Sequence, residues 1–291
     1  RSEVTKKQWP NSLRDYVYPV MGSKPVHLIT IHDVLSVLRP IWSEKTTTAT
    51  RVRSRIENIL DYATTLEMRQ GNNPAVWRGN LSKVLPAPKK VHKIKSHSAV
   101  SYTELHGFLM ELRKRKGVGA RALEFTILTG SRTRPLLLAK WEDIDFDNAI
   151  WNCPEDNMKS GNFFRIPLSE PAMKIINSQK KHSRGEYIFG HEQTGKMSSN
   201  NCMLYTIYRM GYKGKVTTHG MRSTMRDWAG ETTKYSERIV EVCLDHTVNT
   251  AAEAAYQRGD YLAKRREIMD GWGRFCFPAG NKVVQLQGRI L

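Results

Sequence analysis

Cysteine is scarce in this chain. Cys153, Cys202, Cys243 and Cys276 lie far apart and form no C-x-x-C pair. That excludes the common zinc modules and a dense disulfide framework, and it fits a reducing cytoplasm. Long apolar runs are missing too: none approaches the ~20 residues that would span a bilayer. The start, Arg1-Ser2-Glu3-Val4-Thr5-Lys6-Lys7, has charge but no apolar stretch behind it and no initiator Met, so a piece of a longer chain is expected rather than a secretory leader. Acidic residues are few, 28 Asp plus Glu against 46 Lys plus Arg, for a formal charge of +18 at pH 7. Such an excess is the electrostatic footprint of a polyanion binder, with nucleic acid ahead of an anionic membrane.

With 291 residues the chain exceeds the usual size of one domain, and two are expected. The first stretch reads as helical. Thr30-Ile31-His32-Asp33-Val34-Leu35 reads as a capped helix start with Pro40 near its end. Val52, Ile56, Ile59, Leu60 and Ala63 recur at helical spacing, with Arg51, Arg55 and Asn58 on the flank, and Gly71-Asn72-Asn73-Pro74 is the expected stop. Pro86-Ala87-Pro88-Lys89-Lys90-Val91-His92-Lys93-Ile94-Lys95 is poor in large apolar residues and rich in cations, which predicts a basic linker that straps phosphates or is merely solvated. Beyond Ser101 helices run to Leu128. Ala149 to Cys153 and Phe163 to Leu168 then read as paired strands, with Lys159-Ser160-Gly161-Asn162 in the turn region between them, and helices return from about Glu170. No repeat or low-complexity tract interrupts that last part.

Thr218-His219-Gly220-Met221-Arg222 is followed by Leu244-Asp245-His246 and Ala255-Tyr256-Gln257-Arg258; Thr129-Gly130-Ser131-Arg132 and Lys159 precede them. Transfer of a phosphodiester needs a nucleophile, neutralisation of the nonbridging oxygens and a proton for the leaving oxygen. Tyrosine, arginine and lysine can supply these in turn, the guanidinium by its planar fork of donors. Taken singly each residue has a dull reading: Arg132 as a surface or capping group, His246 as a satisfied core histidine, Tyr256 as a packed aromatic. Taken in order, with His219 and Arg222 one helical turn apart, they point to DNA strand transfer.

The order Arg132, Lys159, His219-x-x-Arg222, His246, Tyr256 resembles the tyrosine recombinases, or phage integrase family, of the satellite-phage and genomic-island type. The flanks resemble it as well: Lys140-Trp141-Glu142-Asp143-Ile144-Asp145, Arg165-Ile166-Pro167-Leu168-Ser169, Gly259-Asp260-Tyr261 after the tyrosine, and Ala49 to Glu57 with Asn73-Pro74-Ala75-Val76-Trp77 in the first domain. The resemblance implies a mainly α fold with a small antiparallel β-sheet in the catalytic domain, forming a two-domain DNA clamp. Residues 1–85 would be a helical, SAM-like core-binding domain, 86–100 the linker and 101–291 the catalytic domain.

In that family's chemistry Tyr256 would attack the scissile phosphate and form a 3′-phosphotyrosyl link while Lys159 protonates the departing 5′ oxygen. Arg132 and Arg222 would clamp the phosphate, His219 would exchange a proton with the tyrosine, and His246 would support the transition-state charge. No metal and no cofactor are implied. Arg51, Arg53, Arg55, Lys89, Lys90, Lys93 and Lys95 are the expected DNA contacts. The expected partners are double-stranded DNA at an attachment-site core, a homotetramer in the synaptic complex from a monomer when free, and DNA-bending accessory factors, all in the bacterial cytoplasm and nucleoid. An arm-binding domain is expected upstream. The tail after Pro278, through Val283-Val284-Gln285-Leu286, would dock on a neighbouring protomer or fold back on its own domain.

Four alternatives stay open. Members usually carry an acidic residue in a Gly-Glu pair soon after the first arginine, whereas here Arg132-Thr133-Arg134-Pro135-Leu136 has Pro135 and a second arginine, Arg134. Tyr261 is a rival nucleophile, with Tyr256 preferred for its Ala-Tyr-x-Arg setting. A catalytically impaired DNA-binding relative and a type IB topoisomerase-like relaxing enzyme are the alternatives in function.

Overall fold

The computed structural model describes residues 3–92, 98–246 and 259–278. The chain divides into two compact units, residues 1–95 and 96–291, each with its own apolar core.

In the first unit α1 (Glu3–Ser12) passes through a π-helical turn into the short α2 (Tyr18–Met21), followed by α3 (Ile31–Trp42), α4 (Thr46–Thr65) and the short α5 (Pro88–Val91). α3 starts where the sequence predicts because Thr30 and Asp33 form a capping box. Thr30 Oγ1 accepts from the Asp33 N–H, and the Asp33 carboxylate accepts from the Thr30 N–H at 2.8 Å. Pro40 falls in its last turn.

α4 buries Ala49, Val52, Ile56, Leu60 and Ala63, but Ile59, expected in that stripe, is 37% exposed. The helix also stops before the expected Gly71-Asn72-Asn73-Pro74 breaker. Glu67 turns left-handed at φ 57°, and the N–H groups of Glu67 and Met68 reach back to the carbonyls of Thr64 and Ala63. A glutamate thus makes the helix closure that glycine usually makes. Leu85 is buried and Val91 packs on this core, while Trp42 stacks on Trp77 at 5.6 Å and donates to the Pro86 carbonyl at 2.9 Å. The basic segment therefore begins attached to the first unit.

The second unit contains α6 (Leu105–Arg113), α7 (Val118–Thr129), α8 (Thr133–Leu137), β1 (Ile144–Asp145), β2 (Ile150–Cys153), β3 (Phe164–Pro167), α9 (Glu170–Lys180), α10 (Cys202–Arg209), α11 (Gly220–Thr232), α12 (Glu237–Cys243) and α13 (Leu262–Cys276). The sheet is antiparallel in the order β1-β2-β3, with Ile150 opposite Pro167 and Cys153 opposite Phe164. The expected strand pair is present; β1 is too short to show a period.

α7 is buried almost all round, and α6, α9, α10, α11 and α13 pack about it. Its Glu124 is fully buried yet paired, with Arg113 at 2.7 Å and Arg121 at 2.6 Å. α13 is fixed to it by Trp272, whose indole N–H donates to the Ile127 carbonyl at 2.8 Å. On α13 Met269 and Trp272 are buried and Leu262 and Arg266 are half-buried; Arg265, Ile268 and Cys276 complete the inner face. Tyr256, Lys93, Lys95 and the tail from residue 279 lie outside the described residues.

Candidate active site

α7 ends at Gly130, which takes φ 61°, and a Cβ there would press on Leu244 and Met225. Glycine is required on both counts. The turn it makes sends the chain outward through Ser131 to Arg132, extended at the N-terminus of α8. Pro135 sits in the first turn of α8, where a missing N–H forfeits no helical bond.

On the other side α12 closes on itself. Asp245 takes φ 50°, its N–H bonds to the Val242 carbonyl, and the His246 N–H bonds to the Glu241 carbonyl at 3.0 Å. This is the same closure that Glu67 makes, now with an aspartate in the left-handed position. The corner turns the Leu244 and Asp245 carbonyls and the side chains of Asp245 and His246 toward the two arginines. Arg132 Nη1 pairs with the Asp245 carboxylate and Nη2 donates to the Asp245 carbonyl at 2.8 Å. Arg222 is 4% exposed and spans the gap: Nη1 donates to the Gly130 carbonyl at 2.9 Å, Nη2 to the Leu244 carbonyl, and Nη2 lies 2.9 Å from His246 Nε2. Arg222 Nε is buried without a hydrogen-bond partner.

Burial, aided by the like charge of Arg132, lowers the Arg222 pKa to about 10, so the group stays charged at neutral pH. His246 Nδ1 meets the Glu241 carboxylate, which also accepts from Arg226. Burial pushes the Glu241 carboxyl up, but these two partners outweigh it and hold it below its ordinary range. With Nδ1–H donated to a carboxylate, Nε2 is left as the acceptor facing Arg222.

His219 is exposed at the N-terminus of α11, one turn before Arg222. The helix start is fixed by Thr217, whose N–H donates to the Ser98 carbonyl at 3.0 Å and whose hydroxyl accepts from the Gly220 N–H at 3.0 Å. A side chain at Gly220 would strike the backbone of Ser98 and Ala99. Lys159 is exposed on the connection between β2 and β3. Its neighbour Met158, with Phe164 and Ile166, borders the same hollow as Gly130, Arg132, Arg222 and Asp245.

The structure therefore brings Arg132, Arg222 and His246 together and sets His219 at the helix start beside them. A hollow of about 780 Å³ lies elsewhere in the second unit, lined by Lys116, His191, Tyr205, Tyr208 and Arg209. A site that acts on a polymer needs an open face more than an enclosed volume, so the cationic corner is the better candidate. Among the described residues no group of three His, Cys, Asp or Glu is clustered as a metal would require.

Residues 102–261 match the phage integrase family, and residues 1–80 match the phage integrase central domain. The chain belongs to the phage integrase family. Prophage integrase IntZ of Escherichia coli K12 is 29% identical over 273 residues, covering 93% of this chain and 66% of its own. The integrase of Enterobacteria phage P4 is 27% identical over 311 residues, covering 97% of this chain and 69% of its own. The chain thus spans about two thirds of the length of those relatives, 66% and 69%. A lambda integrase tetramer bound to a Holliday junction has a similar fold, with a TM-score of 0.68 at 18% identity over 87% of this chain and 72% of that one.

Three groups at or near this corner escape a reading of the sequence. Asp245 and Glu241 hold Arg132 and His246, and Asp260 holds both nitrogens of the Arg165 fork at 3.0 Å, joining the start of α13 to β3. Asp245 stands directly before His246, so the one available signal was its place inside the motif. In the first unit Arg51 is exposed, Arg53 pairs with Glu57 at 2.6 Å, and the buried Arg55 donates to the Gln8 carbonyl at 2.9 Å and to Ser12 Oγ. Lys89 and Lys90 are exposed on α5.

Proposed function

We propose that this chain is the core-binding and catalytic portion of a site-specific DNA recombinase, one that integrates or excises a phage or genomic island. The observation that carries this reading is the convergence of Arg132, Arg222 and His246 on the α12 corner, with a buried Arg222 Nε that has no protein partner. Two guanidiniums gathered at one corner can neutralise both nonbridging oxygens of a phosphodiester. Tyr256 then attacks phosphorus through its hydroxyl oxygen, the bond to the 5′ oxygen breaks, and Lys159 gives that oxygen a proton. Attack on the 3′-phosphotyrosyl link by the 5′-hydroxyl of a partner strand reverses the step and frees the tyrosine. The link conserves the energy of the broken bond, so the exchange consumes no nucleotide. His219 handles the tyrosine proton and His246 supports the charge on the phosphate.

Residues 1–85 bind the attachment-site core and residues 101–291 act on it, with exposed Arg51, Lys89 and Lys90, together with Lys93 and Lys95, on phosphates. Arg53 and Arg55 instead tie α4 to the Ala75 and Gln8 carbonyls. Assembly on paired sites is as a homotetramer, from a monomer when free, in the cytoplasm of the bacterial host. The test is a nicked duplex carrying the element's own end sequence, which traps the adduct because the cut strand diffuses away. Wild type should become covalently linked, and Tyr256→Phe should bind equally well and form no adduct. Adduct formation by Tyr256→Phe, lost instead in Tyr261→Phe, would move the nucleophile. Relaxation of any supercoiled plasmid without site preference would make the chain a topoisomerase, and binding without adduct a binding protein.

A further inference from the structure

Arg132 has no carboxylate beside it in the chain, where Thr133, Arg134, Pro135 and Leu136 follow. In space it has one. We propose that Asp245 is the positioning residue for Arg132, an acid delivered across the fold from the end of α12 that fixes the guanidinium plane for the phosphate. This rests on the reading of Arg132 as a phosphate clamp.

The grip has two points, the carboxylate on Nη1 and the backbone carbonyl of the same residue on Nη2 at 2.8 Å. Two contacts from one residue define a plane, and they leave the remaining donors of the five N–H group for a ligand. The Arg132 side chain is only 23% exposed and the like charge of Arg222 stands close, so a counter-charge is needed to keep it in place. Glu241, the other carboxylate at this corner, is already engaged by His246 and Arg226. Finally, Asp245 sits at φ 50°, where glycine is the unstrained choice and aspartate is tolerated. The backbone alone gives no reason for an acid there; the side chain's hold on Arg132 does.

That contrast supplies the experiment. Asp245→Gly relaxes the corner and Asp245→Asn fits it, yet both remove the carboxylate. In single-turnover cleavage of the nicked duplex each should be slowed roughly 10- to 100-fold, the worth of one charge-assisted hydrogen bond, with DNA affinity within about 3-fold of wild type. In an Arg132→Ala background Asp245→Asn should cost less than about 2-fold more, because the two act as one unit. Wild-type cleavage by Asp245→Gly, or additive losses in the double variant, would overturn the proposal. An activity-independent readout separates it from the recombinase reading. In ¹⁵N-arginine-labelled protein the Arg132 guanidinium, identified by its absence in Arg132→Lys, should rotate slowly about its Cζ–Nη bonds in wild type and freely in Asp245→Gly. Unchanged slow rotation would dismiss Asp245 as the anchor. A wild type that forms no adduct would sink the recombinase reading while this spectrum still decides the role of Asp245.

Discussion

Arg222 meets three separate acceptors from two parts of the chain, the carbonyls of Gly130 and Leu244 and the ring of His246. A lysine carries one point of charge on a flexible stem and cannot span them, so Arg222→Lys is not conservative here. It should cut adduct formation by about 10²- to 10³-fold, as loss of a preorganised donor does, and lower the melting temperature of the second unit as well. The Arg222 pKa of about 10 lies far above neutrality, so cleavage should lose none of this cation's help until pH approaches that value. Arg132 and Arg134 separate in the same assay. Arg132 is half-buried against Asp245, while Arg134 is exposed on α8. Arg132→Ala should lose two or three orders of magnitude in rate by the same reasoning, and Arg134→Ala should lose little. The reverse ranking in single-turnover kinetics would shift the motif by two positions.

At the scale of elements, two helix closures explain what the sequence revealed and what it hid. The start of α3 was legible because Thr30 and Asp33 are capping residues at the spacing a capping box needs, and the β2–β3 hairpin was legible because its strands are apolar and bounded by turn residues. The ends of α4 and α12 were hidden because Glu67 and Asp245 fill left-handed positions that are usually read from glycine. Motif order singled out Arg132, Arg222 and His246, which the fold brings to one corner, but it did not reveal their support, since Asp245 reaches Arg132 across 113 residues of chain. Ile59 misled because helical spacing marks a stripe without saying where its edge meets solvent. The α3 cap also carries a pH signature. The hydrogen bond from Lys24, at 2.7 Å, and that from the Thr30 N–H lower the Asp33 pKa to about 2. A depressed carboxyl contributes stability above its ordinary pKa near 3.8 and loses that contribution as pH falls toward about 2. Asp33→Ala should therefore destabilise the first unit by about 1 kcal/mol in urea at neutral pH. The difference between variant and wild type should shrink below pH 4 and be lost only below about pH 2; a constant difference would show that the carboxylate charge plays no part.

Across the whole molecule the formal charge of +18 has two possible effects on DNA, a general attraction and a set of discrete phosphate contacts, and salt separates them. Each lysine seated on a phosphate releases a counterion and adds about 0.9 to the slope of log affinity against log salt. A diffuse field depends on total charge and not on which lysines supply it. Lys89 and Lys90 are exposed on α5, and Lys93 and Lys95 follow within a few residues. Replacing these four with alanine should lower the magnitude of the slope by about 3 to 4 if all of them contact the backbone. Replacing Lys114, Lys116, Lys181 and Lys234, which are exposed elsewhere in the second unit, removes the same charge. It should weaken binding at low salt and leave the slope within about 1 of wild type. Both variants can be titrated against a duplex carrying the attachment core between about 50 and 200 mM salt, the range over which 6 to 10 phosphate contacts change affinity by ~10³ to 10⁵. Equal slopes for the two variants would mean that the segment after Pro86 contributes only its charge, and would reduce it to a spacer between the two units.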